Sequence, residues 1–262
     1  CIRDSVVVVG AGPAGLEAAR VAAERGHSVT LYEKKGSVGG LLEFANNVKG
    51  PHENLSVLRS YFERQMEVLG VNVMLNTEAT ADIIAEASPD IVIAATGGVR
   101  DTLGLSDTAG TKVVGIDDFM MADIAEEVVI VGSNVQAIDA AMYLLAQGKH
   151  VQVVTPNAAS AIGAGHSFWV KTFTQPNMKA LGVRFWPEAT VTAVNDGSVT
   201  VKTATVIEQE IACGTVVEAL DCLPNDNLST GLSCEVVTVG DAARPFNIGE
   251  AICSGNAAAR AI

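Results

Sequence analysis

Apolar and small residues recur along this chain in one order: a β-branched run, a glycine turn, an alanine-rich stretch, a glycine and a second apolar run. The order first appears at Ser5 to Glu33, SVVVVGAGPAGLEAARVAAERGHSVTLYE. Four consecutive valines, Val6–Val9, predict a strand buried on both faces of a parallel sheet. Gly15 to Glu24 is rich in Ala and Leu and free of proline, so it predicts a helix, which Gly26 stops. Val29, Leu31 and Tyr32 then begin a second strand. Asn54 to Leu69 places Leu55, Leu58, Phe62, Met66 and Leu69 three or four positions apart, a helix ended by Gly70. Val71 to Leu75 alternates as a strand, Ala81 to Ala87 reads as a short helix, and Asp90 to Ala95 as another buried strand.

Patterning is loose between Val99 and Ile124, which marks a crossing into a second domain. The opening order then returns. Glu127 to Val131 predicts a strand, Gly132 to Ala137 a turn, Ile138 to Ala146 a helix, and Val151 to Val154 a second strand. Short strands follow at Val183–Trp186, Thr190–Val194 and Val199–Thr203, the last two joined by an Asp196-Gly197 hairpin signal. Val216 to Leu220 and Val236 to Val239 read as further strands, and Ile248 to Ile262 as an alanine-rich helix. The stretch holding His166, Trp169 and Lys171 is weakly patterned, so it reads as a solvated loop or as part of a ligand site. Alternating strands and helices with an internal repeat predict an α/β fold of two Rossmann-like domains.

Composition narrows the classes of partner. The chain has 262 residues, 48% of them hydrophobic, with 17 Lys+Arg against 30 Asp+Glu for a net charge of −13. That balance argues against nucleic acid and anionic membrane surfaces. No apolar run reaches the roughly 18 residues of a membrane-spanning helix, and the expected location is the cytoplasm. The chain starts at Cys1 without Met and reads as a segment of a longer polypeptide. Five cysteines (Cys1, Cys213, Cys222, Cys234, Cys253) form no C-x-x-C pair, so they read as small buried hydrophobes and predict no metal site.

The candidate chemistry lies in the turns. Gly10, Gly12 and Gly15 are spaced G-x-G-x-x-G between strand and helix. Gly10 permits the tight turn, Gly12 lets a pyrophosphate approach the backbone, and Gly15 lets helix and strand pack closely. The helix start, at Pro13 and Ala14, offers unpaired N–H groups and a positive dipole end to a phosphate. Glu33 closes the second strand near the roughly 20-residue spacing of a carboxylate that binds ribose hydroxyls. Lys34 follows it, and then Gly39, Gly40 and Leu41, a second place where backbone passes near a ligand or simply turns. Ala95-Thr96-Gly97 and Gly240-Asp241 end two buried strands where backbone makes room. In the repeat, Gly132 is retained, Asn134 replaces the second glycine and Ala137 the third. No acid follows Val154, so this domain reads either as a second dinucleotide site or as a Rossmann-like domain kept for architecture.

Together these elements are similar to the flavoprotein pattern of two dinucleotide-binding domains, the second inserted into the first as in glutathione reductase. GHSVTLYEKKGSVGGLL, PDIVIAATGG and VGDAARPFNIGEAICSGNAAARAI resemble the C-terminal half of the trimethylamine dehydrogenase / 2,4-dienoyl-CoA reductase group of NADH:flavin oxidoreductases. The resemblance implies an FAD-binding domain at 1–108 and 225–262 and an NAD(P)H-binding-like domain at 109–224. It implies an Old Yellow Enzyme-like barrel half, with FMN and a 4Fe–4S cluster, in the parent chain, and leaves an oligomer open. Gly10, Gly12, Gly15, Glu33, Gly39, Gly40, Asp241 and Ile248 would then lie along FAD, and Asp139 near a nicotinamide. The implied activity is hydride transfer from NAD(P)H to FAD, with electrons passed on to the barrel half. The alternative is a non-catalytic domain holding ADP or FAD beside a silent second domain. Asn134, and Asp221 where the family carries a glycine near the flavin, are departures that favour the alternative.

Overall fold

The computed structural model describes residues 4–50, 53–166, 168–205, 207–225, 227–228 and 232–262, the side chains of Trp169 and Val170 excepted. Two compact units divide the chain: Cys1–Val99 with Cys222–Ile262, and Arg100–Asp221. Both crossings precede the 108/109 and 224/225 bounds that the resemblance implies, and the first falls at the start of the loosely patterned stretch from Val99. Bonds explain the earlier entry. Arg100 pairs with Asp117 at 2.7 Å, and the Leu103 N–H donates to the Glu218 carboxylate at 3.0 Å, so this polar stretch belongs to the second unit.

The chain begins with β1 (Ser5–Val9), α1 (Pro13–Glu24), β2 (Ser28–Tyr32), α2 (Leu42–Lys49), α3 (Leu55–Val68), β3 (Asn72–Met74), α4 (Ala81–Ala87) and β4 (Ile91–Ala94). Helix α2 is an addition to the expectation. It follows Gly39-Gly40, buries only Leu42 and Val48, and has no side-chain cap to announce it. The second unit holds β5 from its crossing (Val99–Arg100), β6 (Lys112–Gly115), β7 (Glu127–Val131), α5 (Val135–Ala146), β8 (His150–Val154), α6 (Phe168–Ala180), β9 (Arg184–Trp186), β10 (Ala189–Asn195), β11 (Ser198–Thr203), β12 (Glu208–Ala212) and β13 (Thr215–Glu218). The first unit resumes with β14 (Cys222–Leu223), β15 (Glu235–Thr238) and α7 (Ile248–Ala261).

Three of these elements correct the sequence reading. Strand β6 lies within the stretch taken as unpatterned. Strand β12 is polar apart from buried Ile211 and the exposed Ala212, as an edge strand can be. Helix α6 covers Trp169 and Lys171, taken as loop or ligand residues, because Pro176 in its interior reads as a helix breaker.

The two sheets share one plan. The first runs β15-β4-β1-β2-β3 and the second β6-β13-β7-β8-β9, with every pairing parallel. In each, the leading strand of the repeat is central, and the order reverses on either side of it, which opens a crevice at the strands' carboxyl ends. The valines of β1 divide between two cores. Val6 and Val8 pack with Leu16, Ala18, Phe62 and Ala259; Val7 and Val9 pack with Ile84 and Val92. In the second unit, Val129, Val131 and Val154 face Val191, Val199, Val201 and Ile211 of the β10–β12 meander. Helix α5 buries Ala137, Ile138, Ala140, Ala141 and Leu144.

Cysteine burial is narrower than expected. Cys213 is buried, Cys222 and Cys234 are half-buried, and Cys253 is exposed. Cys1 lies outside the described residues. Burial pushes the Cys213 thiol up to about 11, so it stays protonated at neutral pH and donates to the Thr215 carbonyl at 3.0 Å. Among the described residues no helix is long and apolar enough to cross a membrane, and no cluster of ligating side chains could hold a metal.

Candidate nucleotide-binding sites

In the first unit, β1 ends against β4 with no room to spare. Gly10 takes φ +99°, and a Cβ there would strike the Ala95 carbonyl. The Gly10 N–H reaches the Tyr32 carbonyl at 2.8 Å, and the Ala95 N–H reaches the Val9 carbonyl at 2.8 Å. A Cβ on Gly15 would strike the Gly10 carbonyl, so α1 lies directly on the turn. Between these two crowded glycines Gly12 is open: no atom lies within 4 Å of where its Cβ would be. Gly12 is the N-cap of α1 and no side chain caps the helix, which leaves its first N–H groups to a ligand. Pro13 occupies the first helical turn, where a missing N–H costs nothing. Ala14 is buried.

Glu33 is buried at the end of β2 and already engaged. One carboxylate oxygen accepts the Ala11 N–H and the other the Lys35 N–H, each at 2.8 Å. A carboxylate has about four lone-pair sites, so two remain for ribose hydroxyls. Lys34 is exposed. The loop carrying Gly39 and Gly40 folds back onto the cradle. The Gly39 N–H donates to the Ala11 carbonyl at 2.8 Å, and a Cβ on Gly40 would sit 3.0 Å from the Gly12 Cα. Leu41 starts α2 beside them. Thr96 donates to the Asn225 carbonyl at 3.0 Å, while Gly97, at φ +77°, faces open space.

The last segment closes the same unit. Gly240 has φ +62°, its N–H donates to Ser254 Oγ at 2.9 Å, and a Cβ there would lie 2.6 Å from Ala14 Cβ. A Cβ on Gly255 would strike the Ala14 carbonyl, so α7 crosses α1 at close range. Asp241 accepts the Phe246 N–H at 3.3 Å beside a cavity of about 210 Å³ lined by Arg244, Phe246, Glu250 and Ser254. Ile248 opens α7, whose N-terminus is closed by Asn247 accepting the Glu250 N–H at 2.9 Å. Glu17 of α1 joins Asn256 of α7 by a short hydrogen bond of 2.6 Å and pairs with Arg20 at 2.8 Å. Burial pushes the Glu17 carboxyl up, but hydrogen bonds from Arg20 and Asn256 outweigh it and leave the carboxyl below its ordinary value.

In the second unit the same turn is built and then filled. Gly132, at φ +146°, crowds the Ala219 carbonyl as Gly10 crowds Ala95. Its N–H donates to the Val154 carbonyl at 2.9 Å, and the Ala219 N–H to the Val131 carbonyl at 2.8 Å. At the N-cap of α5, Asn134 Oδ1 accepts the Ala137 N–H at 3.0 Å. Its Nδ2 donates to the Ala219 and Leu220 carbonyls and to Asp221 Oδ1, at 3.0, 3.1 and 3.1 Å. Thr155 stands in the place of Glu33 and accepts the Asn157 N–H at 3.2 Å, while the Asn157 amide donates to Ser133 at 2.9 Å. The following loop comes back over the turn: the Gly163 N–H donates to the Ser133 carbonyl at 2.6 Å, and Ala164 bridges Asn134. His166 lies 3.7 Å from Asp139, and Lys171 donates to the Ser160 carbonyl at 2.9 Å.

Sequence reading missed Ala11, Asn157, Asn225 and Ser254. An alignment of the two repeats would have paired Ala11 with Ser133 and Glu33 with Thr155. Nothing local marks Ser254 or Asn225.

Residues 4–241 match the family described as pyridine nucleotide-disulphide oxidoreductase. The chain is 38% identical over 159 residues to a protein named NADH oxidase from Thermoanaerobacter brockii, covering 58% of this chain and 24% of that one. It superimposes on a 2-naphthoyl-CoA reductase with a TM-score of 0.86 and 32% identity, over 98% of this chain and 39% of that chain. Lactococcus lactis thioredoxin reductase shares the fold, with a TM-score of 0.73 and 19% identity over 99% of this chain and 97% of that one. The chain thus spans about a quarter of the length of the NADH oxidase. The resemblance to NADH:flavin oxidoreductases and the two-domain Rossmann-like fold expected from the sequence are both borne out.

Proposed function

The chain belongs to the pyridine nucleotide-disulphide oxidoreductase family, and we propose that it is the nucleotide-binding part of a larger flavin-dependent oxidoreductase. The observation that carries this reading is the open, uncapped start of α1 at Gly12, held between Gly10 and Gly15 with Glu33 alongside. A cradle that a single Cβ would narrow, with free N–H donors and a ribose-facing acid, fits the pyrophosphate and adenosine of FAD. ADP fits the same groups; the Gly240-Asp241 turn at the end of β15 favours the longer ligand. When bound, FAD supplies the hydride acceptor, and the protein supplies binding, orientation and electrostatics.

Each residue has a task in that reading. The first N–H groups of α1 hold the pyrophosphate, and Glu33 takes the ribose hydroxyls with its remaining lone pairs. Gly39, Gly40 and Leu41 line the cradle's outer wall. Gly97, Asp241 and Ile248 border the path toward the flavin. The donor is NAD(P)H at the second unit, at the turn that carries Gly132 and Asn134, and electrons pass to an FMN and 4Fe–4S half supplied by the parent chain. A second reading, in which the second unit takes no part in hydride transfer, is favoured by the closed turn at Asn134.

The test is an absorbance spectrum of the purified protein, followed by anaerobic NADH and then NADPH. Flavin bands that bleach with either nucleotide support the hydride-transfer reading. Persistent bands support the second reading, and a protein that takes up ADP but no added FAD overturns the flavoprotein assignment.

A further inference from the structure

We propose that Asn134 is a built-in occupant of the second phosphate site and the residue that sets how weakly this unit takes a nicotinamide dinucleotide. The inference rests on the reading of the second unit as the NAD(P)H domain, and it explains what separates that reading from its alternative. Two sets of observations carry it. First, the side chain satisfies both sides of the place a phosphate would fill. Its carbonyl oxygen takes the Ala137 N–H, one of the donors a phosphate needs. Its amide group shares two N–H donors among the Ala219 and Leu220 carbonyls and Asp221 Oδ1, so both ends of the side chain are held. At the matching place in the first unit, Gly12 leaves that space open.

Second, the surrounding loop accepts this filling and reinforces it. In the first unit the acid of Glu33 ties the turn through the Ala11 N–H. In the second, that link is replaced by neutral groups, Asn157 to Ser133. The Gly163 N–H fastens the loop to the Ser133 carbonyl as the Gly39 N–H fastens to Ala11 in the first unit, and here Ala164 additionally bridges Asn134. A Cβ on Gly165 would lie 2.7 Å from Val135 Cγ2, which shows how near this loop runs to the first turn of α5. A dinucleotide must therefore displace Asn134 Oδ1 before its pyrophosphate meets the Ala137 N–H.

The experiment is equilibrium titration of NADH and NADPH, read by nucleotide fluorescence, into the wild type, Asn134→Gly and Asn134→Ala, with flavin content and thermal unfolding recorded for each. Glycine at an N-cap costs only a few tenths of a kcal/mol relative to Asn, so the Gly variant is expected to fold. It should bind both nucleotides at least about tenfold tighter, equivalent to about 1.4 kcal/mol. The Ala variant frees the same donor but keeps a Cβ in the approach, so it should gain less; it also carries the test if the Gly variant unfolds. Unchanged or weaker affinity in the folded variants overturns the proposal. Flavin content reports separately on the first site: its loss in every protein would sink the FAD assignment without touching this one.

Discussion

Gly12 and Asn134 stand at the same place in two copies of one turn, and the copies have kept different parts of it. Both retain what the backbone needs. A glycine with positive φ lets β1 and β7 end against a neighbouring strand, at Ala95 and Ala219 respectively. Both also carry the same pair of backbone hydrogen bonds to the flanking strands. What differs is what a ligand would meet. The first copy leaves its helix uncapped and keeps a carboxylate at Glu33. The second caps its helix with its own side chain and has Thr155 where the acid would be. What the backbone needs and what a ligand would meet thus reside in separate residues of the same repeat, so one can be lost while the other persists.

The heaviest blow to this comparison comes from the residues the copies share. Gly10→Ala and Gly132→Ala each force a Cβ into a carbonyl at a φ that L-residues avoid. Each should destabilise its own unit by about 3 kcal/mol or more, seen as a lowered unfolding midpoint; only Gly10→Ala should also empty the flavin site. Next in size is the transplant Gly12→Asn. The space is open, so the protein should keep its stability within about 1 kcal/mol, while FAD affinity falls about a hundredfold, or about 2.7 kcal/mol. Retained affinity would mean that the cap does not decide binding. Glu33→Gln should weaken FAD about tenfold, since the amide imitates only part of the carboxylate's acceptor set.

The smallest effects distinguish the units by pH. The Glu17 carboxyl sits below its ordinary value of 4.5. Its contribution to the α1–α7 seam is complete above that pH and is lost as pH falls through the folded value. Glu17→Gln should flatten the acid limb of thermal stability. In the second unit, a 2.7 Å bond to Glu127 raises His150 above its ordinary 6.5. That contribution is complete below 6.5 and fades as pH rises through the raised value, so His150→Gln should remove a slight alkaline loss. Unfolding midpoints across pH check both.

The sequence disclosed most where chemistry and backbone coincide. The valine runs, the glycine spacing and the Glu33 position all depend on local rules, so both repeats were legible. Helix α6 was not, because its interior proline contradicts local propensity and the surrounding chain overrides it. Strand β6 and residues 100–111 were assigned to a crossing, because their place is fixed by partners such as Asp117 and Glu218, which no short window contains. The Asn134 substitution was visible as a missing glycine. Its hydrogen bonds to Ala219, Leu220 and Asp221 were not, since those acceptors lie more than 80 positions away.

The sheets share an order but draw one edge strand from opposite ends of the repeat: β6 precedes β7, whereas β15 follows every other strand in its unit. During synthesis the second unit can therefore assemble as soon as Arg100–Asp221 has emerged. The first must wait with β4 unpaired on one side and α1 uncovered until β15 and α7 arrive. Its open cradle belongs to the unit built from two separated segments, and the nascent chain carries that exposed edge until the later segment arrives.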